Sequence, residues 1–479
     1  MNSHTSPGDL TGQRLNGRYD LVEKLGEGAM GQVYRAHDQT RDGRTVAVKL
    51  LSDPATVDWF RSEFETVSLM VHPGIAQVFD FGHSNREGLD FYTTEYVPGV
   101  PADGKVAAFQ FATITDICVS ILKALDYIHG QGYLHCDVKP GNVLLQSPQH
   151  GSPATTKILD FGLATAIPQS RLTARGTLAY MAPEWFKGGI PGPHSDLYSA
   201  GVMFYQMTWG SLPFDASSAQ ECIRFHNEGI FPWPDSGAIP EWWIQILKQM
   251  VSRDPADRFS NAREVLAAVA RGAGRDLEVA SEHGAQEGII GGPWIGREKV
   301  LKRALAHVDL EDKTGSSNSP VLVLEGAPGT GKSRLLQELK RRLQLRGTPV
   351  AVVDPQRGEP LAELSTLLSL FFDQAEPRRA QERGSHIVSR LVNRTWEFSQ
   401  LGGLVLLLDN LHSWDDLGRS FVQELINRLD YDRQHGDESP QLALVLACTP
   451  ASQGKEPLTL PGDSPTEQLT PLTPADTQR

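Results

Sequence analysis

The sequence predicts two folded domains, a bilobal α+β domain over residues 18–270 and an α/β domain with a parallel sheet over residues 294–479. Three observations support this prediction. Short β-type runs dominate up to Val97, and helical periodicity dominates after it. From Trp294 onward, short apolar runs alternate with helical patterns, as expected for parallel strands that are buried on both faces.

Length and composition exclude several classes of protein. A chain of 479 residues exceeds one ordinary core, since domains commonly hold about 100–200 residues. The net charge of −13 disfavours a general nucleic-acid binder, so we expect no nucleic-acid partner. The four cysteines are scattered, which argues against a disulfide framework and favours a cytoplasmic location. The longest apolar run, GGLVLLLDN, is far shorter than the ~20 residues of a membrane span, so we expect no membrane partner.

The segments outside the two domains have no predicted core. Residues 1–17 are polar and are expected to form a flexible N-terminus. Residues 271–293 are rich in Gly, Ala and charge, which is typical of a linker. The Pro- and Thr-rich stretch over residues 454–479 is predicted to be a loop, and the second domain is expected to be incomplete because no helical lid follows.

The elements of the first domain follow from their patterns in chain order. A small β-rich lobe is predicted from the runs YDLVEKLG, GQVYRAH, TVAVKLL, AQVFDFG and DFYTTEYV. One helix interrupts them, with apolar residues from Phe60 to Val71 at i, i+4, i+7 and i+11. The larger lobe opens with TITDICVSILKALDYIHGQG, whose apolar stripe from Ile117 to Ile128 predicts a helix that ends at Gly130.

A glycine-rich stretch, LGEGAMGQV, lies between the first two predicted strands. Its residues Gly26, Glu27, Gly28 and Gly31 follow the pattern G-x-G-x-x-G, in which backbone N–H groups approach phosphates without a Cβ clash. Alone the motif is weak, because glycine turns between strands are common. It gains weight from the following VAVK, which places Lys49 on a strand within reach of the α and β phosphates.

The predicted helix offers Lys49 an acidic partner. In FRSEFE, Glu63 is the expected ion-pair partner and Glu65 is the alternative. Whichever of the two does not pair is expected to be a solvated surface acid.

The segment HCDVKPGN carries the chemistry expected of phosphoryl transfer. This reaction needs a group that accepts the proton of a hydroxyl, and positive charge on the transferring phosphoryl group. Asp137 suits the first role and Lys139 the second. Asn142, and Asp160 in the following LDFGLA, are suited to hold Mg²⁺. The segment RGTLAYMAPE then places Thr177 where it faces a substrate.

These motifs occur in the order found in protein kinases, and residues 19 to about 270 resemble the eukaryotic-type Ser/Thr protein kinase domain of bacteria. The resemblance implies a bilobal kinase fold that binds ATP and Mg²⁺ and transfers the γ-phosphate to protein hydroxyls. It implies an adenine site lined by Val33, Ala47 and Leu144.

The same resemblance assigns further positions. Thr94 would be the gatekeeper, and Glu95 to Val97 the hinge that contacts adenine through its backbone. Asp196 would brace the catalytic loop, and Arg258 would pair with Glu184 to hold the large lobe together.

The catalytic segment departs from the family at Cys136, where many kinases have an arginine. That arginine holds a phosphate on the activation loop through a charged bidentate contact, which a thiol cannot make. We therefore expect that phosphorylation of the activation segment, at Ser170 or Thr173, is not the main switch. A small buried residue is the simpler interpretation of Cys136, and a redox sensor is the alternative.

A second phosphate-binding motif, GAPGTGKS, follows the apolar run PVLVL and precedes a helical pattern. Strand, glycine loop and helix are the context that this motif requires, and a plain glycine-rich turn is the alternative. Gly326, Gly329 and Gly331 would let backbone N–H groups surround the phosphates. Lys332 would reach the β and γ phosphates, and Ser333 would bind Mg²⁺.

The rest of the second domain supplies a matching carboxylate. The strand LVLLLDN ends in Asp409, placed to hold Mg²⁺ through water. From Trp294 the chain resembles STAND-type ATPases, a branch of the AAA+ group of signalling switches. Asn410 and Cys448 stand where that group often has an acidic residue and a polar reader of the γ-phosphate. These departures predict nucleotide binding with slow hydrolysis.

The leading hypothesis is a Ser/Thr protein kinase that acts on protein substrates, binds ATP at two sites and is regulated by its second domain. The alternative is a nucleotide-gated signalling scaffold with little kinase turnover, favoured only by Cys136 and Asn410. A kinase acting on small molecules is disfavoured by GTLAYMAPE, which resembles a platform for protein substrates. Self-association is a further expectation, although ring assembly has no support without a lid.

Overall fold

The structure is a computed structural model, and it describes most of the chain. The described residues are 8–28, 31–40, 43–51, 56–84, 88–103, 106, 109–146, 155–161, 164–166, 177–234, 239–275, 296–309, 319–355, 384–435, 441–450, 458–462 and 464–472. Ser170, Thr173 and Trp294 lie outside these ranges.

The chain forms two compact units that do not follow the order of the sequence. The first unit comprises Met1–Pro54, Asp80–Thr93 and Trp294–Arg479, and the second comprises Ala55–Phe79 and Thr94–Pro293. The first unit therefore combines most of the predicted small lobe with the second predicted domain.

A six-stranded sheet corresponds to the predicted β-rich lobe. Its strands are β1 (Arg14–Leu15), β2 (Tyr19–Gly28), β3 (Gly31–Asp38), β4 (Arg44–Leu51), β5 (Val78–Ser84) and β6 (Leu89–Glu95), in the order β1-β2-β3-β4-β6-β5. Side chains alternate along β3 and β4, so that Tyr34 and Val48, which are register partners, are fully buried. Residues 14 and 15 belong to this sheet, whereas the sequence predicted a flexible N-terminus over residues 1–17.

The second sheet confirms the predicted parallel α/β architecture. Its strands are β12 (Val321–Gly326), β13 (Val350–Val353), β14 (Leu404–Leu408), β15 (Leu442–Cys448) and β16 (Thr466–Leu469), all parallel, in the order β13-β14-β15-β12-β16. Four described helices accompany it, namely α8 (Glu298–His307), α9 (Lys332–Leu345), α10 (Gly384–Gly402) and α11 (Asp416–His435).

The prediction of a loop over residues 454–479 is wrong at Thr466–Leu469, where strand β16 pairs with β12. Of its four side chains only Leu469 is buried. A short edge strand of this kind has no apolar run and no clear alternation, so its sequence does not distinguish it from a loop.

The second unit holds the predicted helical lobe. Its helices are α1 (Val57–Ser68), α2 (Phe111–Gly130), α3 (Pro183–Phe186), α4 (Pro193–Trp209), α5 (Ala219–Glu228), α6 (Glu241–Met250) and α7 (Ala262–Ala273). Helix α2 is the predicted one, and its stripe from Ile117 to Ile128 is buried in the core of the lobe. Helix α7 continues three residues beyond the predicted domain end at residue 270.

Short strands frame the loops of this lobe. They are β7 (Val100–Pro101), β8 (Tyr133–Leu134), β9 (Val143–Gln146), β10 (Thr155–Ile158) and β11 (Thr165–Ala166), in two small sheets ordered β10-β9-β7 and β11-β8. The segment HCDVKPGN therefore lies between β8 and β9. No helix in the described part of the chain is long and apolar enough to cross a bilayer.

Candidate active and nucleotide-binding sites

The carboxylate of Asp137 is the centre of a cluster of polar groups in the second unit. Its Oδ2 accepts from Lys139 Nζ at 2.7 Å and from Asn142 Nδ2 at 3.0 Å. Its Oδ1 accepts from the backbone N–H and the hydroxyl of Thr177, both at 2.9 Å. Lys139 Nζ also donates to the Thr177 hydroxyl at 2.8 Å. Three predicted site residues, Lys139, Asn142 and Thr177, thus converge on the Asp137 carboxylate.

The backbone of this catalytic loop is held by a buried carboxylate, as the resemblance implied. Asp196, on α4, accepts from the backbone N–H groups of His135 at 2.8 Å and Cys136 at 2.9 Å. His129 Nε2 lies 2.8 Å from the same carboxylate. Burial alone would raise the pKa of Asp196, but the hydrogen bond and charge of His129 outweigh it and lower the pKa. Cys136 itself has a φ of +66°, in the left-handed region.

The segment that carries Asp160 is tied to the same loop. The backbone N–H of Leu159 donates to the Asn142 carbonyl at 2.7 Å, and His135 Nε2 lies 3.2 Å from the Leu159 carbonyl. Asp160 follows with an exposed side chain and a φ of +53°. Asn142 uses its nitrogen for both bonds to Asp137, so its oxygen is the atom chemically suited to a cation. Asn142 and Asp160 fit Mg²⁺, which prefers oxygen ligands.

The predicted pair of Glu184 and Arg258 is confirmed. The guanidinium donates to both carboxylate oxygens at 2.8 Å, and the Ser195 hydroxyl adds a bond of 2.6 Å. Both side chains are buried. Burial would raise the pKa of Glu184, but the Arg258 contact lowers it below its ordinary value. This pair links α3 to the segment before α7.

The hinge residues and Leu144 belong to the second unit. The backbone N–H of Glu95 donates to the Gln77 carbonyl at 2.7 Å, and its carboxylate accepts from Lys157 Nζ at 2.7 Å. The Thr94 hydroxyl donates to the Glu95 carbonyl at 3.3 Å. Val97 is buried, and Leu144 is half-buried on β9.

Helix α1 distinguishes between the two acids that the sequence left open. Glu63 is 2% exposed and lies among buried residues, whereas Glu65 is exposed. Because a buried carboxylate requires a partner, this favours Glu63 as the acid that pairs and Glu65 as the surface acid.

The glycine-rich hairpin and Lys49 belong to the first unit. Gly28 and Gly31 are register partners at the end of the β2–β3 hairpin, and Gly26 pairs with Val33. A Cβ on Gly31 would lie 1.9 Å from the Leu50 carbonyl oxygen, so this position requires glycine.

Two of the three predicted adenine-site residues, Val33 and Ala47, lie on the neighbouring strands β3 and β4. Val33 and Lys49 are register partners, and Ala47 lies two residues before Lys49 on the same half-buried face. Lys49 Nζ lies 5.6 Å from the centroid of the Tyr92 ring.

The second phosphate-binding motif has the predicted context, since β12 leads through a glycine loop into α9. Gly329 and Gly331 have φ values of +79° and +88°, which explains why glycine is needed there. Lys332 Nζ donates to the loop carbonyls of Gly326 at 2.7 Å and Ala327 at 3.0 Å. Burial lowers the pKa of Lys332, and the Asp409 carboxylate opposes part of this shift. Ser333 is exposed at the start of α9.

Asp409 lies at the carboxyl end of β14, which is separated from β12 by β15 alone. Parallel strands place their carboxyl ends at one edge, which is where such sheets bind ligands. Asp409 is 4% exposed and accepts from the backbone N–H of Asn410 at 2.8 Å. The Asn410 side chain donates to Asp354 at 3.2 Å. Burial raises the pKa of Cys448 at the end of β15.

Two residues of these sites were missed by the sequence analysis. Arg297, 8% exposed before α8, has its Nε 4.0 Å from where a Cβ on Gly331 would lie. Its guanidinium donates to the Thr470 carbonyl. A charged residue just before the first helix of the domain is a weak signal that could have pointed to it. His129, in contrast, gave no signal, because a histidine near a helix end is common.

The glycine hairpin, the Asp137 cluster and the Glu184–Arg258 pair together define a phosphotransferase domain of the kinase class, followed by a P-loop domain. A model of the protein kinase domain matches residues 19–269, just over half of the chain, and the chain belongs to this family. A model of the AAA ATPase domain matches residues 293–436, so the second domain is an AAA ATPase domain.

Bacterial Ser/Thr protein kinases are among the similar proteins. The DNA damage-responsive serine/threonine-protein kinase RqkA of Deinococcus radiodurans is 35% identical over 59% of this chain and 43% of the relative. The serine/threonine-protein kinase PknA of Mycobacterium tuberculosis is 35% identical over 54% of this chain and 62% of that kinase. The probable serine/threonine-protein kinase PknB of Bifidobacterium longum is 32% identical over 52% of this chain and 38% of that kinase. The matches thus span between 38% and 62% of these relatives' lengths.

Proposed function

We propose that this chain is an ATP-dependent protein kinase that phosphorylates Ser and Thr hydroxyls of proteins. The observation that carries the proposal is the Asp137 carboxylate, held by Lys139, Asn142 and Thr177. A carboxylate fixed in this way is oriented before substrate binds, so little reorganisation is needed during the reaction. Membership of the kinase family and the similarity to bacterial Ser/Thr kinases support the same activity.

In the proposed mechanism the side chains divide two tasks, proton acceptance and neutralisation of phosphate charge. A substrate hydroxyl approaches Asp137, which orients it and accepts its proton as the oxygen attacks the γ-phosphorus. Lys139 would neutralise charge on the transferring phosphoryl group, and Lys49, for which Glu63 is the expected partner, would neutralise the α and β phosphates. Asn142 and Asp160 would hold Mg²⁺, whose charge would screen the phosphate oxygens.

The Thr177 hydroxyl supports the choice of acceptor. It already lies within hydrogen-bond distance of both Asp137 and Lys139, at 2.9 and 2.8 Å. A Ser or Thr hydroxyl of a substrate, which has the same chemistry, would approach the same two groups. The position of the Thr177 hydroxyl thus supports a site that can accommodate the short side chain of a Ser or Thr substrate.

Cys136 supports a mode of control that does not depend on a phosphorylated activation segment. Its side chain packs against the buried cluster around Met181, Trp185 and Tyr198, as expected of a small packing residue. We propose that Ser170→Ala and Thr173→Ala, singly and together, retain phosphotransfer. Loss of activity in the double variant would contradict this.

We also propose that the AAA ATPase domain binds ATP, hydrolyses it slowly and regulates the kinase. Lys332, Ser333 and Asp409 would contact the phosphates and Mg²⁺, which their positions around one sheet edge support. Asn410, whose amide bonds to Asp354, lacks the carboxylate that would activate a water, and this supports slow turnover. Assignment to the STAND branch, and a cytoplasmic location in keeping with four scattered cysteines, are part of this proposal.

The test is the intact mass of the purified chain after incubation with ATP and Mg²⁺, beside Asp137→Asn. We expect mass gains in steps of one phosphoryl group in the natural protein and none in the variant. A protein substrate mixture labelled with γ-³²P-ATP provides an independent readout of transfer in trans. Equal labelling by both proteins would contradict the assignment of Asp137.

Lys332→Ala separates the two nucleotide sites in this assay. Phosphotransfer that persists in Lys332→Ala but is lost in Asp137→Asn would assign the chemistry to the kinase domain. If Lys332→Ala were as inactive as Asp137→Asn, the second nucleotide site would be essential for phosphotransfer, which would contradict a regulatory role.

A further inference from the structure

The carboxylate of Asp80 joins two parts of the first unit that are far apart in the sequence. Asp80 lies on β5 of the six-stranded sheet, called the kinase sheet below, and is 5% exposed. Its Oδ2 accepts from Arg18 Nη2 at 2.9 Å and from the Tyr19 hydroxyl at 3.3 Å. Its Oδ1 accepts from Gln344 Nε2 at 3.2 Å and forms an ion pair with Lys340 Nζ. One oxygen thus faces strand β2, and the other faces helix α9.

Helix α9 presents two different faces. Leu335, Leu336, Leu339 and Leu343 are buried in the core of the ATPase domain. Lys340 and Gln344 are spaced i, i+4 and form a separate stripe, which meets β5. Gln344 Oε1 also lies 3.4 Å from the backbone nitrogen of Phe81, on an edge strand of the kinase sheet. The contact therefore covers part of an edge that would otherwise be open to pairing.

The charges of this contact are balanced and largely removed from water. The Lys340 and Asp80 side chains are 19% and 6% exposed, and Arg18 is 20% exposed. Arg18 also forms a bidentate pair with Asp38, at 2.8 and 2.6 Å. Two cations therefore face two carboxylates. Removing the Lys340 ammonium would leave a buried carboxylate with less compensation, which makes this position sensitive to small displacements of α9.

The same elements end at the two phosphate-binding loops. Helix α9 begins at Lys332, and Lys340 follows about 12 Å further along its axis. Strand β2 begins at Tyr19, beside the Asp80 carboxylate, and ends at Gly28 in the glycine-rich loop. Helix α9 thus connects the phosphate-binding loop at Lys332 to Asp80 on β5, and Asp80 in turn contacts Tyr19, at the start of the strand that leads to the kinase loop.

We propose that α9 transmits the nucleotide state of the AAA ATPase domain to the glycine-rich strand of the kinase through Asp80. This inference rests on the proposed function, because it gives the contact by which the second domain would regulate the first. The partner of the Lys340–Gln344 stripe is thus the kinase sheet of the same chain. The proposed starting point is Lys332, the first residue of α9, which would exchange its bonds to the carbonyls of Gly326 and Ala327 for bonds to phosphate oxygens.

The test is amide hydrogen exchange of residues 78–84 in the full chain, with and without ADP and Mg²⁺. In the natural protein we expect ADP to change the exchange rate of this segment about fivefold or more. Lys332→Ala, which removes the second nucleotide site, should abolish that response. The variant Lys340→Met with Gln344→Ala should also abolish it, while Gln337→Ala, at an exposed position of α9, should retain it.

The kinase domain offers a second nucleotide site, and the Lys332→Ala variant separates a response that arises there from the proposed one. An ADP response that is equal in the natural protein and Lys332→Ala would arise at the kinase site and would overturn the proposal. A response that persists in the double variant, or its absence in the natural protein, would overturn it too. Exchange of residues 404–408, the fully buried strand β14 of the first unit, monitors folding, and Lys340→Met alone serves if the double variant does not fold.

Phosphotransfer rates give a second test that depends on catalysis. Lys332→Ala should change the rate in the natural background, and the same substitution should have no effect when Lys340 and Gln344 are already replaced. Additive effects would overturn the proposed route. Failure of the proposed kinase function would be recognised separately, because no variant would then show phosphotransfer while the exchange experiment would still report on the contact.

Discussion

Single hydrogen bonds fix the shape of the catalytic loop. Cys136 has a φ of +66°, which for a residue other than glycine costs roughly 1–3 kcal/mol. The N–H of Cys136 and that of His135 both donate to the buried Asp196 carboxylate, which offsets this strain. The loop that orients Asp137 is therefore maintained by a residue that need not touch the substrate, and Asp196 is a positioning residue.

Substitution of Asp196 by Asn tests this dependence. The amide keeps the shape but loses the negative charge, and hydrogen bonds to charged groups contribute about 1.5–3 kcal/mol. We expect the free energy of unfolding of the second unit to fall by roughly 2 kcal/mol, and kcat for phosphotransfer to fall more than KM for ATP changes. Urea unfolding and initial rates measure these effects.

Asp126→Asn is the matched control for Asp196→Asn. Asp126 is on the same unit, and its partner Arg263 is 70% exposed, so this ion pair contributes little. We expect the free energy of unfolding to change by less than about 1 kcal/mol in the control. Similar losses in the two variants would show that Asp196 has no special role.

Buried histidines make the stability of the second unit depend on pH. Burial lowers the pKa of His72 and that of His226 from 6.5 to about 4. Below pH 6.5 the unfolded chain therefore binds more protons than the folded one, so stability falls as pH decreases and levels off near pH 4. Each histidine can contribute up to about 3 kcal/mol to this loss.

His72→Asn should reduce this pH dependence. In the natural protein the backbone N–H of Gly74 donates to His72 Nδ1 at 3.0 Å. The oxygen of the Asn side chain can accept the same hydrogen bond, but the amide does not titrate. Urea midpoints of the second unit at pH 7.5 and 4.5 should differ less in the variant than in the natural protein. His435→Gln, an exposed position in the first unit, should leave the difference unchanged. An unaltered slope in His72→Asn would contradict the assigned pKa shift.

At the scale of elements, the glycine-rich turns could be predicted from the sequence, whereas an edge strand could not. The phosphate-binding loops and their flanking elements could be predicted, because glycine, lysine and apolar runs follow one another in local sequence. Strand β16 could not, since its only buried side chain is Leu469. The Asp80–Lys340 contact could not either, because a pairing between positions so far apart leaves no trace in a single sequence.

The β2–β3 hairpin provides a test at this scale. A Cβ on Gly31 would lie 1.9 Å from the Leu50 carbonyl oxygen, whereas a Cβ on Gly28 would meet no atom within 4 Å. Gly31→Ala should therefore force β3 away from β4 and lower the melting temperature of the first unit by several degrees. Gly28→Ala should leave the melting temperature nearly unchanged. Equal melting temperatures for the two variants would contradict the described register.

At the scale of the whole molecule, the compact units do not coincide with the two family domains. The sheet that carries Lys49 belongs to one unit with the AAA ATPase sheet, and the catalytic loop of Asp137 belongs to the other. Segments that belong to the same unit are therefore expected to lose stability together when that unit is destabilised.

Leu444→Ala tests the shared stability of the first unit. Leu444 is fully buried in β15, and such truncations commonly cost about 2–5 kcal/mol. We expect hydrogen exchange to accelerate at residues 321–326 and also at residues 46–50 of the kinase sheet, with little change at residues 117–128. Acceleration confined to residues 321–326 would show that the kinase sheet is stable independently of the ATPase domain.

The contact of Asp80 with α9 has a consequence for synthesis of the chain. Lys340 lies 260 positions after Asp80, so at about 5–20 residues per second the ribosome completes this pair roughly 15–50 s after Asp80 is made. During that interval Asp80 can pair with Arg18, which precedes it in the chain. The nascent kinase sheet thus reaches its final environment only when translation has passed helix α9 of the AAA ATPase domain.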